Sequence, residues 1–342
     1  MRRRAIAYAL LSAALFGAST PLAKIFVGSI SPLALAGVLY LGSGLGLTAW
    51  LLLRRPAWSL AARDVPWLAG AIIAGGVVGP ALLMYGLART DAASASLLLN
   101  LEAVLTAALA WVVFRENVDR RVFAGMVAIV AGGVALAWQT PAVRGATGPL
   151  LIGGACLAWA LDNNLTRRVS GGDAVVLAAL KGLVAGATNV ALALAIGARL
   201  PAPGALAAAG LVGLVGYGVS LVLFIMALRD LGTARTSAYF SIAPFFGAAL
   251  ALTVLGERAE PAFWIAAALM ALGVWLHVTE RHEHDHVHEP MIHTHEHVHD
   301  AHHRHSHEPG WDGREPHTHR HEHARLRHRH PHYPDLHHRH GH

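Results

Sequence analysis

The sequence predicts an all-α membrane protein: ten transmembrane helices in two inverted five-helix repeats, then a disordered His-rich tail. Four observations lead there. Of 342 residues, 54% are hydrophobic and 14% charged, a balance too apolar for a soluble chain of this size. The apolar residues lie in runs of about 20, the length that crosses a bilayer core. The stretch "SASLLLNLEAVLTAALAWVVFRE" is echoed about 141 residues later by "TSAYFSIAPFFGAALALTVLGERAE". In that register Glu116 falls opposite Glu257, Ser96 opposite Ser237, Asn100 opposite Ser241 and Gly132 opposite Gly273. An echo at fixed offset marks an internal duplication. Lys and Arg, finally, are distributed unevenly between the two sides of the membrane.

In chain order the spans fall at roughly 5–27, 32–53, 67–88, 91–114 and 120–138, then 149–168, 173–197, 204–229, 232–254 and 261–279. Runs this long and continuous suit helices better than barrel strands, and in lipid only those two satisfy the backbone. The first span, after Arg2–Arg4, resembles a signal peptide. Nine more such segments follow, so it is read as a retained helix. The connections are short and rich in Pro, Gly or charge: "RRPAWSLAARDVP", "RENVDRR", "QTPAVRGATGP", "RRVSGGD", "RLPAPG" and "GERAEP". With the N-terminus inside, 13 Lys/Arg face the cytoplasm and 5 the outside before the tail begins, which sets the orientation. Both termini are then cytoplasmic. Five spans per half is odd, so the halves run in opposite senses. That is the inverted-repeat design of secondary transporters, whose sites lie near the midplane. The expected units are 1–140, 148–280 and the tail, 281–342.

Up to Glu280 the charge is +8, and the tail carries −2 with neutral His. The basic balance therefore belongs to the membrane loops and does not point to nucleic acid. A single cysteine, Cys156, excludes an intramolecular disulfide framework. No Walker sequence, H-E-x-x-H or G-x-S-x-G occurs, so neither ATP-driven pumping nor hydrolysis has support and an enzyme is not expected.

Ionisable and polar groups inside apolar helices are the candidate pathway. Glu102 stands about 16 Å from either end of its span at 1.5 Å per residue, at the midplane. It is read either as a carrier of a coupling proton or as a neutral acid bonded between helices. Asp162, Asn163 and Asn164 form a polar knot in "WALDNNLTRR". Asp162 lies about 9 Å, and Lys181 of the next helix about 12 Å, inside the same membrane face. Opposite charges at similar depth on neighbouring helices suggest an ion pair. The alternatives are snorkelling for Lys181 and a helix-end cap for the knot. Asn100 is about 200° round the helix from Glu102, which shares its stripe with Thr106. Ser237 and Ser241 form a similar pair before Pro244, read either as ligands or as interhelical hydrogen-bonding glue.

All 24 histidines occur at His277 or later. The tail alternates them with polar or acidic residues and has few large apolar ones, so it is expected to be disordered without metal. Candidate ligands are His282, His284, His286, His288, His293, His295, His297, His299, His302, His303, His305 and His307. Imidazole suits zinc, nickel and cobalt. The other reading is a solvated tail whose charge changes with pH.

The ends of the repeats, "RENVDRRVFAGMVAIVAGG" and "GERAEPAFWIAAALMALG", with "APFFGAAL" in the ninth span, resemble the EamA-type transporters of the drug/metabolite transporter superfamily. The resemblance covers residues 1–280 and implies a secondary transporter moving small organic solutes, often outward, across the bacterial inner membrane. Where that family usually has a proline, this chain reads "NLEAV". With "DNNLTR", this looks like a subgroup that often carries His-rich tails. The expected function is export of a small metabolite or a metal ion, coupled to protons through Glu102, with metal held by the tail. Import, or a non-transporting membrane metal sensor or store, is the alternative. The expected partners are the lipid bilayer, a small-molecule or ion substrate and transition-metal ions, with a homodimer as one assembly. No cofactor is required; zinc, nickel or cobalt are the metals the tail could bind.

Overall fold

The computed structural model describes residues 2–54, 62–114, 120–138, 146–169, 173–231, 236 and 239–279, and in the tail 283–288, 291–297, 317–323 and 326–331. The chain forms two compact units, Met1–Glu280 and Arg281–His342.

The first unit is helical. Its elements are α1 (Arg2–Phe26), α2 (Pro32–Arg54), α3 (Val65–Leu87), α4 (Ala92–Leu98), α5 (Leu101–Phe114) and α6 (Arg120–Trp138). The second repeat supplies α7 (Thr147–Val169), α8 (Ala174–Ala195), α9 (203–231), α10 (Ala243–Val254) and α11 (Pro261–Val278). Among the described residues seven helical spans are long and apolar enough to cross a membrane. Ten were expected from the sequence. α7 has the length, but the Asp162–Asn164 knot and Arg167–Arg168 dilute its apolar character, while α10 and α11 are apolar but shorter. Leu53, Val112, Trp138 and Leu150 point outward and exposed, as side chains facing lipid do.

Local sequence sets the helix starts. Asp91 caps α4 by accepting from the Ser94 amide at 2.7 Å. Asp173 caps α8, accepting from Val175 and Val176 at 2.8 and 3.2 Å. Pro66, Pro203, Pro244 and Pro261 stand in first turns, where no amide partner is lost.

The packing obeys the internal repeat. α1 contacts α9 and α10, as its repeat-mate α7 contacts α3 and α5; α2 meets α8, α4 meets α10 and α6 meets α11. Exchanging the halves leaves this contact set unchanged, which is what a pseudo-two-fold axis requires. Backbones touch at the crossings. A Cβ on Gly182 would lie 2.6 Å from the Gly44 amide nitrogen, and one on Gly42 would strike the Gly210 backbone. In lipid, where burial does not drive helices together, such close approach supplies the attraction. Gly42→Ala should therefore cost about 1–3 kcal/mol by overpacking, read as a lower unfolding temperature in detergent. An unchanged temperature would mean that the crossing yields to a methyl group.

In the second unit, β1 (Glu283–His288) pairs antiparallel with β4 (Leu326–Pro331), and β2 (Met291–His297) with β3 (His317–His323). Disorder was the expectation over those segments. Alternating His with other residues has the two-residue period of a strand. The register sets His284 opposite His330, His286 opposite His328, His293 opposite His321, His295 opposite His319 and His297 opposite His317. His288 lies opposite Leu326. The candidate ligands His282, His299, His302, His303, His305 and His307 lie outside the described residues.

Candidate functional site

α7 carries the polar groups of the site on consecutive faces. Asp162 and Thr166 are four apart and share one face; Asn163 is turned toward α5. The Lys181 ammonium, from α8, donates to Asp162 Oδ1 at 2.6 Å, Oδ2 at 2.7 Å and Thr166 Oγ1 at 3.2 Å. Thr166 in turn donates to Asp162 Oδ1 at 2.7 Å. Both ion-pair side chains are largely shielded, with 15% of Lys181 and 10% of Asp162 exposed. The structure thus brings together the two charges that the sequence placed at matched depth. Asn164 bonds the Ala160 carbonyl at 2.8 Å, within its own helix, and does not join them.

Glu102 sits at a helix break. α4 ends at Leu98, Leu99 and Asn100 form a turn, and α5 begins at Leu101. Glu102 therefore lies in the first turn of a half-helix, where the dipole favours an acid. Its Oε1 accepts from Asn163 Nδ2 at 2.9 Å. Glu102 stays half-buried and Asn163 exposed. One turn further along, the buried Thr106 hydroxyl has no hydrogen-bond partner among the described residues. Asn100 takes the other side: buried, it donates to Leu97 O at 3.0 Å and faces Met270 Sδ of α11 at 3.8 Å. The second repeat turns at the equivalent place, Ser241–Ile242, before α10. Ser241 is half-buried in that turn, and Ser237 lies outside the described residues.

Two further features escaped the sequence reading. α3 and α9 widen to π-helix at repeat-equivalent positions, Ile72–Val78 and Leu214–Val219. Such bulges interrupt the regular backbone ladder and are frequent at functional sites. In α3 side chains from three helices bond the carbonyls of this segment. Tyr40 and Trp159 each donate to Gly75 O at 2.9 Å, and Asn189 reaches Gly76 O and Val77 O, both at 3.3 Å. Gly75 lies directly against the Asp162 carboxylate, leaving no space for a Cβ. Tyr40 was legible as the repeat-mate of Lys181, Thr166 from its four-residue spacing to Asp162, and Asn189 as a lone amide in an apolar helix. Beside these groups Phe16 touches three rings, Trp159, Tyr217 and Phe240, at centroid distances of 6.4, 5.9 and 5.3 Å.

Among the described residues no three His, Cys, Asp or Glu come together as a metal site. Cys156 is buried and directs its thiol to Leu98 O at 3.7 Å.

A model of the EamA-like transporter family matches residues 3–138 and again 146–279. An "uncharacterized transporter" of Methanothermobacter thermautotrophicus is 30% identical over 207 residues. That match takes in 58% of this chain and 60% of the relative, so the chain spans under two thirds of that relative's length. A solved structure titled only "Crystal structure of protein" shares the fold at a TM-score of 0.60 with 19% identity, over 82% of this chain and 98% of the other.

Proposed function

The chain belongs to the EamA-like transporter family, and on that premise we propose a proton-coupled secondary transporter that exports a small organic metabolite across the bacterial inner membrane. One observation carries this: Glu102–Asn163 and Asp162–Lys181–Thr166 stand together on α5, α7 and α8, beside a π-helical segment of α3. Lys181 neutralises Asp162, which leaves Glu102 as the carboxyl suited to take up and release a proton. A mere anchor would give these costly groups no role. The ring cluster around Phe16 favours an organic solute. Carboxylate and amide oxygens without imidazole are a poor match for nickel or zinc.

In this reading ten spans cross the membrane and both termini are cytoplasmic, so the Asp91 end of the bundle faces outward. The tail holds zinc, nickel or cobalt and regulates the pore. Histidine standing opposite histidine in its paired strands supports that role.

Proteoliposomes test the proposal in paired form. The full chain and a chain ended at Glu280 should both move solute down an imposed pH gradient. Only the full chain should bind nickel, cobalt or zinc and change its flux with them. No flux of any metabolite from the full chain would leave the sensor or store reading. Metal-ion flux at full rate without the tail would show a pore that selects metal.

A further inference from the structure

We propose that Glu257 is the outer-gate residue of this transporter: its carboxylate clamps the start of α4, and the outer side opens only when that clamp releases. The proposal rests on the transport reading above. Glu257 Oε1 accepts from the Ala92 amide and Oε2 from the Ala93 amide, both at 2.8 Å. The second repeat thereby grips the first across 165 and 164 positions of sequence. The first amides of a helix have no partner within it. A carboxylate placed on them makes charge-assisted bonds, stronger than neutral ones.

The chain is built to aim this side chain. After α10, Gly256 adopts φ 66°, a left-handed conformation that other residues rarely take. The Glu257 amide then returns to Ala251 O at 3.3 Å. Beneath the clamp the wall is closed. A Cβ on Gly247 would lie 2.6 Å from Gly17 O and 2.7 Å from Ser96 Oγ, so α1, α4 and α10 meet without room for side chains. In α4 every residue but Ser94 is buried. From Leu101 to Leu109 only Val104 is. The seal therefore covers the outer half of this path, and Glu102 lies just past it.

The clamp borders an open cleft of about 540 Å³, lined by Lys24, Ala88, Arg89, Thr90, Asp91 and Glu257. There Lys24 donates to Leu87 O at 2.5 Å and Thr90 O at 2.6 Å, tying α1 to the turn before α4. Releasing Glu257 thus removes the polar tie between the segment after α10 and α4, while Lys24 keeps α4's leading turn on α1. α4 runs into the break at Leu99–Asn100, so its movement reaches Glu102 two residues later. Glu116, the repeat-mate of Glu257, lies outside the described residues.

The test reads access and needs no substrate. Ser96 is buried in the sealed seam, so Ser96→Cys is placed in a Cys156→Ser full-length chain in vesicles. A membrane-impermeant maleimide is added outside. Labelling should be slow with Glu257 present and about tenfold faster in Glu257→Gln and Glu257→Ala, the change in opening expected on losing a charge-assisted bond. Arg89→Gln lines the same cleft without holding α4 and should stay slow. Equal rates with and without Glu257 would overturn the proposal, as would equal acceleration by Arg89→Gln. So would labelling that appears only where Glu257→Gln also lowers the unfolding temperature. Absent solute flux with Glu257-dependent labelling would instead count against the transport reading alone.

Discussion

Asp162→Asn and Lys181→Met, made one at a time, are each expected to destabilise the membrane unit by about 3–5 kcal/mol, the cost of stranding one member of a buried ion pair. The geometry leaves each charge dependent on the other. Lys181 gives Asp162 two bonds of 2.6 and 2.7 Å, and its third contact, Thr166, is itself bonded to the same carboxylate. Removing Lys181 leaves an anion pressed against Gly75 with no cation. Removing the Asp162 charge leaves an ammonium facing a hydroxyl. The double variant strands neither, so it should unfold later in a denaturation series than either single variant. Simple addition of the two losses would show that the pair contributes nothing as a pair.

Glu102→Gln should abolish flux driven by a pH gradient while solute exchange with no gradient continues. Glutamine keeps the shape and can still accept from Asn163, so the 2.9 Å contact and the start of α5 should survive. Only the exchangeable proton is lost. The two assays separate coupling from structure: a packing role for Glu102 predicts that both rise or fall together. If gradient-driven flux persists in the variant, the proton travels by another group and Glu102 is a structural acid between α5 and α7.

The sequence offered a depth for each site residue more readily than a direction. The membrane depth of Glu102, Asp162 and Lys181 follows from counting residues along an apolar run, because rise per residue is constant. Direction round the helix was legible only within one regular segment. That sufficed to part Asn100 from Glu102, and Asn100 indeed faces Met270 while Glu102 faces Asn163. It did not reveal the helix break at Leu99–Asn100 or the π-helical segments, because neither glycine content nor periodicity distinguishes a widened turn from a regular one. The strands of the tail were missed for a different reason: composition was weighed above the two-residue alternation of histidine.

The amino-acid sequence alone determined that this chain lives in a membrane, that it is two copies of one pattern, and that a few polar groups are spent inside it. These are properties of composition, run length and offset, which need no knowledge of neighbours. Tertiary structure decided which groups meet. Glycine contacts such as Gly44 with Gly182 set how closely α2 and α8 approach, and the rotation of α7 sends Asp162 to Lys181 but Asn163 to Glu102. It also turned Glu257, which the sequence offered only as a repeat marker, into a bond between the two halves. Contacts between helices depend on crossing and rotation, and those are fixed by surfaces from 19 to 165 residues apart in the chain.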